Sequence, residues 1–107
     1  MYNQIIKEML AKVCIKDANT YENQKKYSVK DNFSTIELYI NKANVSYRVQ
    51  GDAYIIAMTK WLQLQLIDNQ SLQDITLDYL IETFSLPDVK LRNATQILEL
   101  IEKINEF

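Results

Sequence analysis

The side chain best suited to covalent chemistry is Cys14, the single cysteine, with Lys12 and Lys16 two residues to either side. Sulfur exchange proceeds through a thiolate, which nearby ammonium groups favour. The competing reading places Cys14 on or beside the apolar face of Leu10 and Val13, where a free cysteine behaves as a small buried hydrophobe. Carboxylates offer a second kind of chemistry: Asp74, Asp78 and Glu82 follow at four-residue steps. On a helix that spacing shares one face, but such acids are ordinarily solvated surface charges. Trp61, Tyr54 and Met58 have the types to line a ligand groove, yet at helical spacing inside an apolar run they read as core. Tyr21, Tyr27, Tyr39 and Phe33 lie among polar residues and suit an interface. Lys25, Lys26 and Lys30, the densest basic stretch, read as a solvated face able to steer an acidic partner.

What is missing narrows the chemistry further. Histidine is absent from the 107 residues, so serine triads, histidine-ligated zinc and an imidazole pH switch have no residue to use. One cysteine closes no intrachain disulfide and builds no four-thiolate metal site. The net charge is −2, divided as +3 over residues 1–51 and −5 over residues 52–107. The basic residues are scattered, without a glycine-rich or aromatic nucleic-acid signature, so no nucleic-acid partner is expected. No segment approaches the roughly 18 apolar residues of a membrane span, and no cleavable leader is legible, so the expectation is a cytoplasmic protein without a membrane partner. A 48% hydrophobic, 24% charged chain of this length fits one compact domain over 1–107.

The elements that must position these residues follow from periodicity. Ile5, Ile6, Met9, Leu10 and Val13 recur at helical intervals, predicting an amphipathic helix that ends near Ile15. Residues 16–30 are polar, with room for a short strand at 26–29. The period then changes to two. Ile36, Leu38 and Ile40 face one way, and after an Asn-rich turn Val45, Tyr47 and Val49 do the same, with Ser46, Arg48 and Gln50 outward. Gly51 ends this strand, and Asp52 is placed to cap a mostly buried helix over 53–67. Ser71 opens a capping-box-like SLQD that predicts a brief helix. Another helix runs through Tyr79, Leu80 and Ile81 and must stop by Leu86, ahead of Pro87. Ala94, Ile97, Leu98, Ile101 and Ile104 describe a terminal amphipathic helix. The order predicts an α+β, two-layer fold in which a small antiparallel sheet of two to three strands packs against several helices.

Three stretches of this framework, within residues 29–104, resemble the superfamily of SufE sulfur acceptors and IscU/NifU N-terminal iron–sulfur scaffolds. VKDNFSTIEL, residues 29–38, is similar to the SufE segment in which Gly-Cys-x-Ser leads into an apolar strand, with Asn32 at the cysteine and Ser34 at the serine. VSYRVQGDA, residues 45–53, resembles the strand ending in Gly-Asp of SufE, or in Gly-Cys of the scaffolds, with Asp52 at the second cysteine. LPDVKLRNA, residues 86–94, resembles the scaffold stretch Leu-Pro-Pro-Val-Lys-Leu-His-Cys, with Asp88 for the second proline and Arg92 and Asn93 at the histidine and cysteine.

The resemblance implies a degenerate member of a SufE/IscU-like fold. Asn32 cannot accept a persulfide, and Asn32, Ser34, Asp52, Arg92 and Asn93 lack the soft thiolates that iron and sulfide require. The expectation is therefore no catalytic residue, no metal, no cofactor and no enzymatic activity. It leaves a protein of iron–sulfur cluster assembly or sulfur trafficking that binds a cysteine desulfurase or another assembly partner. A chaperone contact at Leu86, Pro87, Val89 and Lys90 is implied by the scaffold stretch. The alternatives are a sulfur carrier using Cys14 and an unrelated small protein-interaction module. An exposed edge strand would also suit a homodimer.

Overall fold

The computed structural model describes residues 3–32 and 34–105 and shows an α+β fold. Phe33, named above as an interface aromatic, lies outside the described residues. Helix α1 spans Gln4–Lys12, and a 3-10 turn at Ile15–Ala18 leads to strands β1 (Lys25–Lys30), β2 (Thr35–Ile40) and β3 (Val45–Gln50). Helices α2 (Ala53–Ile67), α3 (Leu77–Phe84) and α4 (Leu91–Asn105) follow, with a second 3-10 turn at Asp88–Lys90. The sheet is antiparallel in the order β1-β2-β3.

Both hairpins are closed by the same device. Asp31 Oδ1 accepts the Ser34 amide at 2.9 Å, and Asn41 Oδ1 accepts the amides of Ala43 and Asn44 at 2.9 and 2.7 Å. A short Asx side chain that bonds its own backbone folds the chain back without glycine. In register, Tyr27, Leu38 and Tyr47 align across the sheet, as do Val29, Ile36 and Val49. These residues face the helices, and all but the half-buried Val49 belong to the core, so the period of two is realised as one packed face and one polar face. Tyr27 is thus a core residue and no interface aromatic, whereas Tyr21 is exposed and Tyr39 half-buried.

Helix α2 is apolar nearly all round because it is central, with α1 on one flank and the sheet and α4 on others. Met58 is fully buried, and Trp61 meets Phe84 edge-on with ring centroids 5.6 Å apart. Those residues are core, as their spacing predicts. At the termini of α1 and α3, Asn3 serves both helices. Its Oδ1 caps the Ile6 amide at 3.0 Å while its Nδ2 donates to the Thr83 carbonyl at 3.0 Å. At the far side of the sheet, Lys103 of α4 reaches the Ser28 carbonyl of β1 at 2.6 Å.

Three local expectations are corrected. Helix α1 ends at Lys12 rather than near Ile15, because Asp17 turns inward and accepts the Cys14 amide at 3.0 Å, leaving Ile15 93% exposed. Ser46 is buried although it lies on the outer face. Residues 19–24 fold over it, with Asn19 O accepting its hydroxyl and Gln24 Nε2 donating to it at 3.2 Å. No helix follows Ser71: its hydroxyl only receives the Gln73 amide at 3.4 Å, a local turn that sends Leu72 into the core. The next helix cap is Thr76, whose hydroxyl accepts the Tyr79 amide at 3.1 Å. Asp74, Asp78 and Glu82 are exposed, and only the last two lie on α3, so they form no common acidic site.

Candidate functional site

Asp52 is where three distant segments meet. Gly51 and Asp52 join β3 to α2, and the extended backbone of Asp52 lets its Oδ1 accept the Ile55 amide at 3.1 Å, the cap predicted from sequence. The glycine is required by closeness and not by backbone handedness. A Cβ at residue 51 would stand 2.3 Å from Ile55 Cγ2 and 3.1 Å from Ser34 Cβ. The loop after α3 brings Lys90 to Asp52 Oδ2 at 2.5 Å, and the first turn of α4 brings Asn93 Nδ2 to Oδ1 at 3.2 Å. Lys90 also lies over the Tyr54 ring, 5.8 Å from its centroid.

Around this junction lies a pocket of about 600 Å³ lined by Ser34, Gly51, Asp52, Val89, Arg92 and Asn93, together with Asp88 and Lys90. Four of the five positions singled out by the resemblance, Ser34, Asp52, Arg92 and Asn93, therefore share one cavity. Asn32, the fifth, is exposed on the neighbouring turn of 31–34 and is not part of the lining. Ser34 is held from behind by Gln96, whose Oε1 accepts the serine hydroxyl and whose Nε2 donates to the Ser34 carbonyl at 3.4 Å. Arg92 Nε stands 3.8 Å from Asp31 Oδ2.

The electrostatics of the pocket are those of a neutralised salt bridge. Burial pushes the Asp52 carboxyl up, but the Lys90 ammonium, the Ile55 amide and the Asn93 amide together outweigh it and hold the group below its ordinary range. Iron and sulfide need several thiolates, and here the one carboxylate at the centre is already engaged by an ammonium and an amide. These residues do not fit a cluster. Among the described residues no group of three or more His, Cys, Asp or Glu is arranged to hold a metal ion.

No known family model matches the chain, and no curated protein does either.

The fold separates the residues of the Leu86–Lys90 stretch. Leu86 is 7% exposed and packs in the core, Lys90 turns to Asp52, and Val89, 83% exposed, stands out from the surface beside the exposed Pro87. A docking partner at this loop would meet Pro87 and Val89.

Cys14 lies elsewhere, on the segment between α1 and the first 3-10 turn, and it is exposed rather than buried as a small hydrophobe. Its Sγ is 3.7 Å from Asp17 Oδ1, so a carboxylate is its hydrogen-bond partner.

Asp17 belongs to a polar centre that the sequence reading missed. Both its oxygens receive Lys60 Nζ at 3.1 Å, and Oδ2 also accepts the Tyr47 hydroxyl at 2.9 Å. Gln63 accepts from Lys60 at 2.8 Å and donates to the Val45 carbonyl at 2.8 Å. Burial pushes the Asp17 carboxyl up, yet the Cys14 amide, Lys60 and the Tyr47 hydroxyl bring it below its ordinary value. Burial, with Asp17 as hydrogen-bond acceptor, drives the Tyr47 hydroxyl strongly upward, so it remains a donor. The signal was Lys60 itself, the only charge in the apolar run 53–67, with Gln63 one turn on.

Proposed function

We propose that this chain is a SufE/IscU-like domain without thiol chemistry, acting in iron–sulfur cluster assembly or sulfur trafficking by docking to a cysteine desulfurase or another assembly partner. One observation carries the reading: Ser34, Asp52, Arg92 and Asn93, singled out from three separate stretches, line one cavity at the junction of β3, α2 and α4. Chance similarity of short stretches gives no reason for such convergence. In this reading Asp52 and Asn93 stand for the scaffold cysteines, and the bonds of Asp52 to Asn93 and to Lys90 support docking without sulfur transfer. Pro87 and Val89 at the rim are the surface open to a partner, a chaperone included. The compartment that goes with this reading is the cytoplasm, and no helix among the described residues is long and apolar enough to cross a membrane.

The test is calorimetric titration of the protein into a cysteine desulfurase from the same source, followed by mass spectrometry after addition of cysteine. Saturable binding with no added sulfur is the expected result, and it should weaken in Val89→Asp. Absence of binding to the desulfurase and to every scaffold and chaperone of the assembly machinery would end this reading and leave an unrelated interaction module.

A second reading, a sulfur carrier using Cys14, has the exposure of the thiol in its favour. A mass gain of one sulfur that disappears in Cys14→Ser would establish it.

A further inference from the structure

The two edges of the sheet differ. At β1 the Ser28 carbonyl is taken by Lys103. At β3 the first half is covered, since Gln63 donates to the Val45 carbonyl and Asn19 accepts from Ser46. Residues 47–50 have β2 on one side only, and their backbone makes no hydrogen bond to any described residue outside the sheet. A strand edge with unpaired amides and carbonyls is a template for another strand.

Beside this half-edge lies a groove of about 700 Å³ between β3, α2 and the segment 13–18. Its inner side is apolar, formed by Val13, Val49 and Ile56, with the 93% exposed Ile15 at its rim. Its outer side carries Arg48 and Gln50, because side chains alternate along β3. Both carboxylates of the groove are already engaged, Asp17 by Lys60 and Glu37 by Lys26 at 3.0 Å. Arg48 is exposed and donates no hydrogen bond to a described residue. Arg48 stands opposite Glu37 in register and acts on its carboxylate together with Lys26, so Lys26, Glu37 and Arg48 leave one net positive charge on the outer side of the groove.

We propose that residues 47–50 of β3 take up, as a fourth strand, an extended segment of a partner protein in which apolar and acidic residues alternate. The alternation matches the groove on both faces. Apolar side chains on one face of the added strand fall beside Val13, Val49 and Ile56, and acidic ones on the other face meet Arg48. A second copy of this chain is a poorer occupant. Antiparallel self-pairing of 47–50 that keeps both inner faces together sets Arg48 opposite or diagonal to its own copy, an unfavourable like-charge arrangement. The proposal is independent of the sulfur-assembly reading, whose surface is the Asp52 pocket.

The experiment is titration of the isotope-labelled full chain with a capped alternating valine–glutamate peptide, followed by amide NMR and hydrogen exchange. Saturable shifts and slowed exchange confined to residues 13–18 and 47–50 are expected at about millimolar peptide. Arg48→Glu and Ile15→Asp, both at exposed positions, should each weaken binding about tenfold while leaving the spectrum of the free protein otherwise intact. The matching valine–lysine peptide and a backbone N-methylated valine–glutamate peptide should not bind. Equal binding of the lysine peptide, shifts confined to the Asp52 pocket, no saturable response, or concentration-dependent self-association through β3 would each overturn the proposal.

Discussion

Replacing Asp17 by Asn tests whether the buried polar centre holds residues 13–18 onto the sheet. The side chains of Lys60 and Asp17 are 8% and 10% exposed, and each oxygen of the carboxylate is 3.1 Å from the ammonium. Removing one member of such a pair strands a buried charge and costs about 3–5 kcal/mol. In Asp17→Asn, Lys60 loses its counter-charge but keeps the Gln63 carbonyl and one neutral amide oxygen at residue 17 as acceptors, which puts the cost at the lower end, about 3 kcal/mol. Lys60→Met should cost less, about 2 kcal/mol, because Asp17 retains the Tyr47 hydroxyl and the Cys14 amide. The double variant should recover most of the sum, since no unpaired charge remains. Against a total stability of about 5–15 kcal/mol, the Asn variant loses a substantial fraction. With a urea slope of about 1.5–2 kcal/mol per molar, the midpoint falls by about 1.5–2 M. Emission of Trp61, the single tryptophan, 7% exposed and edge-on to Phe84, reports the transition. The pH dependence fixes the sign. Asp17 titrates below its ordinary 3.8 in the folded chain, so the unfolded chain binds more protons near that pH. Its contribution is therefore full above 3.8 and is lost as the pH falls through the folded value. The gap between wild type and Asp17→Asn should narrow from about pH 5 downward. A midpoint unchanged by Asp17→Asn, or a gap that does not vary with pH, would refute the reasoning.

Gly51→Ala should destabilise the fold by about 1–3 kcal/mol, because the new methyl lies 2.3 Å from Ile55 Cγ2, and Ile55→Ala should rescue part of the loss in thermal unfolding. Asp52→Asn keeps the cap and loses only a half-exposed ion pair, so it should cost under about 1 kcal/mol, whereas Asp52→Ala also loses the cap and should cost about 1–2 kcal/mol. Urea midpoints separate the two, and equal losses would show that the cap contributes little. Combining Ser34→Cys, Asp52→Cys and Asn93→Cys, all in the lining of the one cavity, should create a thiolate site readable as cadmium charge-transfer absorption; absorption no stronger than with three cysteines at scattered exposed positions would show that these positions do not cooperate.

Much of the framework was legible in local pattern. The period of two at Ile36–Ile40 and Val45–Val49, the Asn41 turn and the Asp52 cap each follow from interactions within four residues of chain, where sequence spacing and spatial distance agree. The misses come from contacts across the fold. Ser46 is buried by residues 19–24, which no alternation rule anticipates, and α1 ends early because Asp17 is drawn to Lys60, 43 positions away. The SLQD run fails as a cap because the buried Leu72 sets the path of the chain. At the candidate site, four residues from the three stretches line one cavity, and the bonds that close it were not legible. Lys90 was read as a partner-facing residue, and its bond to Asp52 spans 38 positions.

The bond from Lys103 to the Ser28 carbonyl has a consequence for assembly as well as for packing. A sheet with two open margins can add copies at both and grow into a fibre. Here the Ser28 carbonyl on the β1 margin is already taken by Lys103 of α4, so a strand added at that margin would have to displace this bond. A lysine at a sheet margin thus does two things at once, tying α4 to β1 and opposing the pairing of a foreign strand beside Ser28.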